Sequence, residues 1–315
     1  MLFKTLLFSF GLISVHAASV LPIKRQSSTQ DHPNITDTDI LNFALTLEHL
    51  ENAFYTTSLQ NLTAANFTKA GFAPAVREFY EQVSEHEMTH VANLTTILGS
   101  QAVQPCTYNF GINNNVSTFV AISDMLETIG TSAYIGAAHY IQNQALLTTA
   151  AAILAVEARH STWINNAVRG GNPWSTAYDT PLDLNQVFTL ASSVIASCPS
   201  NNTAIPVIAN PPLTVTPATA NPGENITVSF TSPTGGAVNG TGLFAAFLSG
   251  ITPTFIPLGS GNGTFTVTIP PQLRGFVYLA ITNSSSAADD TVTVAGPAFF
   301  NFAFNANNTI TPLKN

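Results

Sequence analysis

Charge is what this sequence has least of. Asp, Glu, Lys and Arg make up 8% of its 315 residues, against roughly 25% in ordinary globular proteins. The few charges are unbalanced, 9 basic against 17 acidic, for a net charge of −8. There is no basic run, so attraction to nucleic acid or to an anionic membrane is excluded as an organising principle. After the N-terminal stretch, no segment has the ~18 uninterrupted apolar residues that a membrane span needs. No G-x-S-x-G motif or glycine-rich phosphate loop is present, which leaves an isolated serine nucleophile without support. Only two cysteines occur, Cys106 and Cys198. In an oxidising compartment they read as one disulfide, with a single pairing available.

The N-terminus, MLFKTLLFSFGLISVHAAS, combines one lysine, an apolar stretch and a small-x-small site. It reads as a secretory signal over residues 1–17. Residues 18–36 follow, with Lys24-Arg25 either a second processing site or an exposed basic pair. N-x-S/T sequons are dense, at Asn34, Asn61, Asn66, Asn115, Asn201, Asn225, Asn239, Asn262, Asn283 and Asn307. Asn93 starts another, but inside an expected helix near a candidate site. Attached sugars would keep a chain this poor in charge in solution. The C-terminus is too polar for the tail of a glycolipid-anchor signal. The expected location is therefore outside the cell, free or in the cell wall.

Two halves differ in pattern. Residues 37–200 show helical periodicity, with long helices expected near 37–58, 74–99, 117–143 and 145–168, and a shorter one near 183–197. Pro74 suits a first helical turn. From 205 to 296 the chain turns to short β patterns such as NITVSF, GTFTVTI and FVYLAIT, between turns such as NPGE and SGNG. Such spacing predicts a small immunoglobulin-like β-sandwich, with residues 297–315 as a tail. The fold class expected is α+β with two domains, a four-helix bundle followed by the sandwich. The β-half aromatics, Phe244, Phe247, Phe255, Phe265, Phe276 and Tyr278, read as core, and Trp163 and Trp174 as packing.

The chemistry lies in the helices. AAILAVEARHSTWI at 151–164 sets a carboxylate and an imidazole in an apolar run, a costly burial unless something pairs them. Glu157 and His160 share the apolar stripe of their helix, three residues apart, so they can converge on one point. Glu87 and His90 repeat the pattern on the second helix. Glu48 on the first and Glu127 on the third sit mid-stripe without a histidine. The halves echo each other, since Glu48 precedes Tyr55 by seven and Glu127 precedes Tyr134 by seven. That echo chooses Glu48 over Glu51, whose counterpart is Gly130, and sets Glu51 at the surface or behind the ligands. His49, His86 and His139 are expected likewise. Four buried carboxylates balance two divalent ions, and oxygen with imidazole donors suits iron or manganese better than zinc. A metal pair of this kind handles O₂ or peroxide, which Tyr55 or Tyr134 could position by hydrogen bond. A lone buried Glu–His hydrogen bond would also satisfy any one of these pairs taken alone.

LNFALTLEHLENAFY, EFYEQVSEHEMTHVANL, PCTYNF and AVEARHSTWI resemble the ferritin-like domain of secreted fungal and plant proteins described as desiccation-related, stress-response or late sexual development proteins. The resemblance covers about residues 37–200. It implies that Glu87 and Glu157 bridge two metals, with Glu48 and Glu127 as terminal carboxylates and His90 and His160 as terminal imidazoles. The family name does not imply iron storage, and the role expected is oxidant handling or metal oxidation in stress or sexual development. The alternatives are a non-catalytic wall or matrix glycoprotein whose metal site is structural or vestigial, and a glycan- or partner-binding role for the β half.

Overall fold

A computed structural model describes residues 32, 34–232, 236 and 238–314. The expected signal segment and the dibasic pair lie outside the described residues. Among the described residues there are six α-helices: α1 Asp37–Asn61, α2 Ala64–Lys69, α3 Pro74–Leu98, α4 Val116–Ala137, α5 Gln144–Thr162 and α6 Leu184–Ser192, with α5 running on as a π-helical segment, Trp163–Val168. Local chemistry sets their starts. Thr36 and Asp39 form a capping box on α1, Pro74 opens α3, and Asn115 caps α4. α1 packs on α3 and α4 on α5, giving a four-helix bundle. No described helix is long and apolar enough to cross a membrane.

Two helix boundaries differ from the periodicity. The third expected helix breaks after Ala137, passes through a 3₁₀ turn at Ala138–Tyr140, and restarts where the Asn143 side chain accepts from the Ala145 and Leu146 amides. A capping asparagine thus ends what an apolar pattern would continue. The fifth stops at Ser192. Ile195–Ser197 forms a strand (β2) that pairs with Thr107–Tyr108 (β1) beside the Cys106–Cys198 disulfide. The cross-link and the ladder hold this stretch extended.

The second domain contains β3 Thr214–Thr216, β4 Asn225–Ser229, β5 Phe244–Leu248, β6 Thr254–Pro257, β7 Thr264–Thr268, β8 Gly275–Thr282 and β9 Thr293–Phe302. They form two antiparallel sheets, β3-β4-β7 and β6-β5-β8-β9. Ile226, Val228, Phe265 and Val267 from the first meet Ala245, Phe247, Val277 and Leu279 from the second, as in an immunoglobulin-like sandwich. β9 runs past residue 296 to Phe302, because its register with β8 extends to Gly275↔Phe302.

The four-stranded sheet is covered on both faces. Ala246, Leu248, Tyr278 and Ala280, the alternate residues of β5 and β8, join the hydrophobic core of the bundle. Polar contacts fix the join. The Asn301 amide donates to Asp124 and Asn165 (3.1 and 2.9 Å), and Arg169 Nη1 donates to Asp124 (2.5 Å). The tail returns to the end of the fourth bundle helix, where the Lys314 amide donates to the Arg169 carbonyl (2.8 Å). Trp163 packs edge-on against Tyr80, whereas Trp174 is 67% exposed and is not a packing residue.

Candidate metal centre

Each long bundle helix contributes one fully buried glutamate: Glu48 from α1, Glu87 from α3, Glu127 from α4 and Glu157 from α5, all 0% exposed. His90 and His160 enter one turn after Glu87 and Glu157. Their donor atoms fall into two groups, Glu48, Glu87, His90 and Glu157 in one and Glu87, Glu127, Glu157 and His160 in the other. Within each group the donor atoms lie within 4.8 Å of one another. Glu87 and Glu157 belong to both groups. His90 Nδ1 is 3.1 Å from Glu87, 3.2 Å from Glu48 and 3.5 Å from Glu157. His160 Nδ1 is 3.0 Å from Glu127 and 3.2 Å from Glu87.

The sevenfold echo becomes a crossed pair of hydrogen bonds. Tyr55 on α1 donates to Glu127 Oε1 on α4, and Tyr134 on α4 donates to Glu48 Oε1 on α1 (2.5 Å). Both tyrosines are buried. Their hydroxyl protons are directed at the two carboxylates that belong to one group only, so they orient those carboxylates.

His86 is the partner that sequence reasoning left unresolved. Its Nδ1 lies 2.9 Å from His160 Nε2, with the rings stacked. The contact of His160 Nε2 with His86 turns Nδ1 toward the carboxylates, the outer contact that metal-binding histidines generally need. His49 is buried rather than superficial, and its Nε2 contacts the Val103 carbonyl (3.1 Å). His139 is exposed.

The expectation for Glu51 needs correction. It is 4% exposed and faces the cluster. Burial, followed by the charges of Glu87, Glu127 and Glu48, holds its pKa well above the usual carboxylate range. The absent counterpart that argued against it is its physical licence. A Cβ on Gly130 would stand 3.0 Å from Glu51 Oε1 and 2.8 Å from Glu157 Oε2. The i, i+3 spacing from Glu48 was the available signal.

The electrostatics are those of an acid cluster short of cations. Burial pushes Glu48 up to about 7 and Glu157 well above its ordinary value, the latter with help from neighbouring carboxylates. Glu87 moves the other way. Burial alone would raise it, but hydrogen bonds with His160 and His90 bring it down to about 2. Burial would lower both imidazoles, but the carboxylates beside them lift His90 and His160 to about 10. Two imidazoles cannot satisfy every carboxylate oxygen. Glu48 Oε2, Glu87 Oε1 and Glu157 Oε1 have only a shared imidazole Nδ1 at 3.2, 3.2 and 3.5 Å, and Glu157 Oε2 is buried with no partner. Orphaned acceptors of this kind cost several kcal/mol in a protein interior, and divalent cations would satisfy them. The donor set of carboxylate oxygens and imidazoles fits iron or manganese.

Residues 36–170 match the family described as a ferritin-like domain. Fold and match together liken this segment to a ferritin-like bundle, and its acidic and histidine cluster could hold metal. A curated relative is protein rds1 of Schizosaccharomyces pombe (strain 972 / ATCC 24843), 23% identical over 177 residues. The match covers 56% of this chain and 44% of that protein, so the chain spans under half of the relative's length.

Proposed function

We propose that this protein is a secreted di-metal carboxylate glycoprotein that holds two divalent ions, iron or manganese, and handles oxidants or oxidises metal in stress or sexual development. The observation that carries the reading is the pair of donor groups sharing Glu87 and Glu157, with more buried carboxylate oxygens than two imidazoles can satisfy. In this reading Glu48, Glu87, His90 and Glu157 would hold one ion and Glu87, Glu127, Glu157 and His160 the other. Bound iron or manganese would supply one-electron redox change at each ion, the chemistry that O₂ or peroxide reduction needs. The chain's own residues exclude bulk water, hold the carboxylates through Tyr55 and Tyr134, and fix the His160 ring through His86.

Secretion is supported by the leader-like N-terminus, by the Cys106–Cys198 disulfide, and by the exposure of every sequon asparagine from Asn34 to Asn307, Asn93 included. Glycan contact through the β-sandwich belongs to the same extracellular reading. The test is turnover of Fe(II) or peroxide by protein loaded with iron or manganese. Activity that Glu157→Ala abolishes, with fold and secretion intact, supports the proposal. A loaded protein that turns over neither leaves the structural glycoprotein as the reading.

A further inference from the structure

The site described so far uses four carboxylates, but five are buried around it. Glu51 is three residues beyond Glu48 on the same face of α1 and is 4% exposed. Among the described residues its carboxylate makes no hydrogen bond and no ion pair. The charges that bear on it are those of Glu87, Glu127 and Glu48, all carboxylates. A side chain so placed raises the cost of the empty cluster, since like charges are brought together in a medium that screens them poorly.

The structure makes room for it at a cost. Gly130 lies inside α4, where glycine costs about 1 kcal/mol relative to alanine. An alanine Cβ there would press on both Glu51 Oε1 (3.0 Å) and Glu157 Oε2 (2.8 Å). The notch therefore opens one small space bordered by an oxygen of each carboxylate. Both oxygens of Glu157 lack a hydrogen bond. On the far side of the notch lies an apolar pocket walled by Leu47, Leu50, Leu126, Ile129 and Leu190, in which Glu51 is the one ionisable lining residue.

We propose that Glu51 is a further metal-binding carboxylate of this centre, admitted beside Glu157 by the notch at Gly130. This rests on the metal reading above and deepens it. Four carboxylates neutralise two divalent ions, and a fifth matches one additional positive charge. Glu51 therefore makes the site unsymmetric. The α1 half carries one more donor than the α4 half, and the two ions are held with different strengths.

The test is Mn(II) binding to the full chain by equilibrium dialysis under anaerobic conditions, comparing wild type with Glu51→Gln, Gly130→Ala and the double variant, with circular dichroism melting of each metal-free chain as the fold control. Glu51→Gln keeps size and removes charge. It is expected to fold and to weaken one of the two Mn(II) sites by at least ~10-fold. Gly130→Ala alters no donor but sets a Cβ against both Glu51 Oε1 and Glu157 Oε2, so a loss at least as large is expected, and the double variant should lose no less than Gly130→Ala alone. Two Mn(II) bound at unchanged strength by a folded Glu51→Gln chain would overturn this proposal and leave the six-residue centre standing. A wild type that binds no Mn(II) or Fe(II) would overturn both. Two Mn(II) bound at unchanged strength by a folded Gly130→Ala chain would overturn the admission through the notch.

Discussion

Metal binding to this bundle should expel protons. Without metal, His90 and His160 titrate near 10 because carboxylates crowd them, so both imidazoles are charged at neutral pH. A cation approaching Nδ1 must displace that proton from each. Two protons released per pair of ions correspond to about 100-fold tighter overall binding per pH unit, or ~2.7 kcal/mol. Glu157 and Glu48, raised by burial, add to the release as their carboxylates ionise on binding. The metal-free chain should show the opposite trend. A histidine raised in the folded state contributes stability fully present below its unfolded value of 6.5, and that stability is lost as pH rises through about 10. The raised glutamates act in the same direction above their unfolded value, and only Glu87, lowered to about 2, loses its contribution on acidification. Melting between pH 6.5 and 9 should therefore show a falling Tm without metal and a growing metal-induced increment. Calorimetric titration with Mn(II) in two buffers of different ionisation enthalpy counts the protons directly. A count of zero, with a metal-free Tm independent of pH, would refute the reasoning.

Other perturbations separate the parts of the structure. Asp124→Ala would strip the partner from buried Arg169 at the join between bundle and sandwich. A loss of ~3–5 kcal/mol is expected in urea unfolding, and a loss under 1 kcal/mol would mean that the join does not depend on this pair. Gly136→Ala would place a Cβ 1.7 Å from the Leu182 carbonyl oxygen, so α4 or the Leu182 segment must move and the melting temperature should drop sharply. Cys198→Ser opens a cross-link between residues 92 positions apart. The chain-entropy relation gives a cost of about 4–5 kcal/mol, measurable by chemical denaturation. Tyr134→Phe removes the hydrogen bond to Glu48 Oε1. Charged hydrogen bonds contribute ~1.5–3 kcal/mol, so Mn(II) affinity should fall by roughly tenfold or more while the fold persists.

The helical half was legible because burying charge in so sparse a sequence is selective. Glu127 and Glu157 are the only glutamates between His90 and Glu224, and a 3.6-residue period places them on the inner face of α4 and α5. The crossed tyrosines were visible only as a spacing, since a single sequence does not say which carboxylate a hydroxyl across the bundle will meet. Symmetry left Glu51 at the surface or behind the ligands, and its burial excludes the surface. A missing side chain at Gly130 reads as a missing function, yet in three dimensions it is the space its neighbour occupies. His86 lies on the outer side of His160, and its contact depends on how α3 and α5 are set against each other. In the β half, NITVSF and GTFTVTI alternate and have one covered face. FVYLAIT is nearly continuous in apolar residues, and that was the sign of a sheet covered on both sides. The helix break at Asn143 and the strand at Ile195–Ser197 were hidden because tertiary partners decide them.

The central claim is that the cluster is a two-ion site. Elemental analysis of the purified full chain, beside Glu87→Ala/Glu157→Ala, tests it most directly, because that variant removes both carboxylates shared by the two donor groups. About two iron or manganese atoms per chain, lost in the variant while the helical circular dichroism persists, is the predicted result. No metal in either protein, with unchanged stability, would contradict the account and leave an acid cluster paired only by His90 and His160.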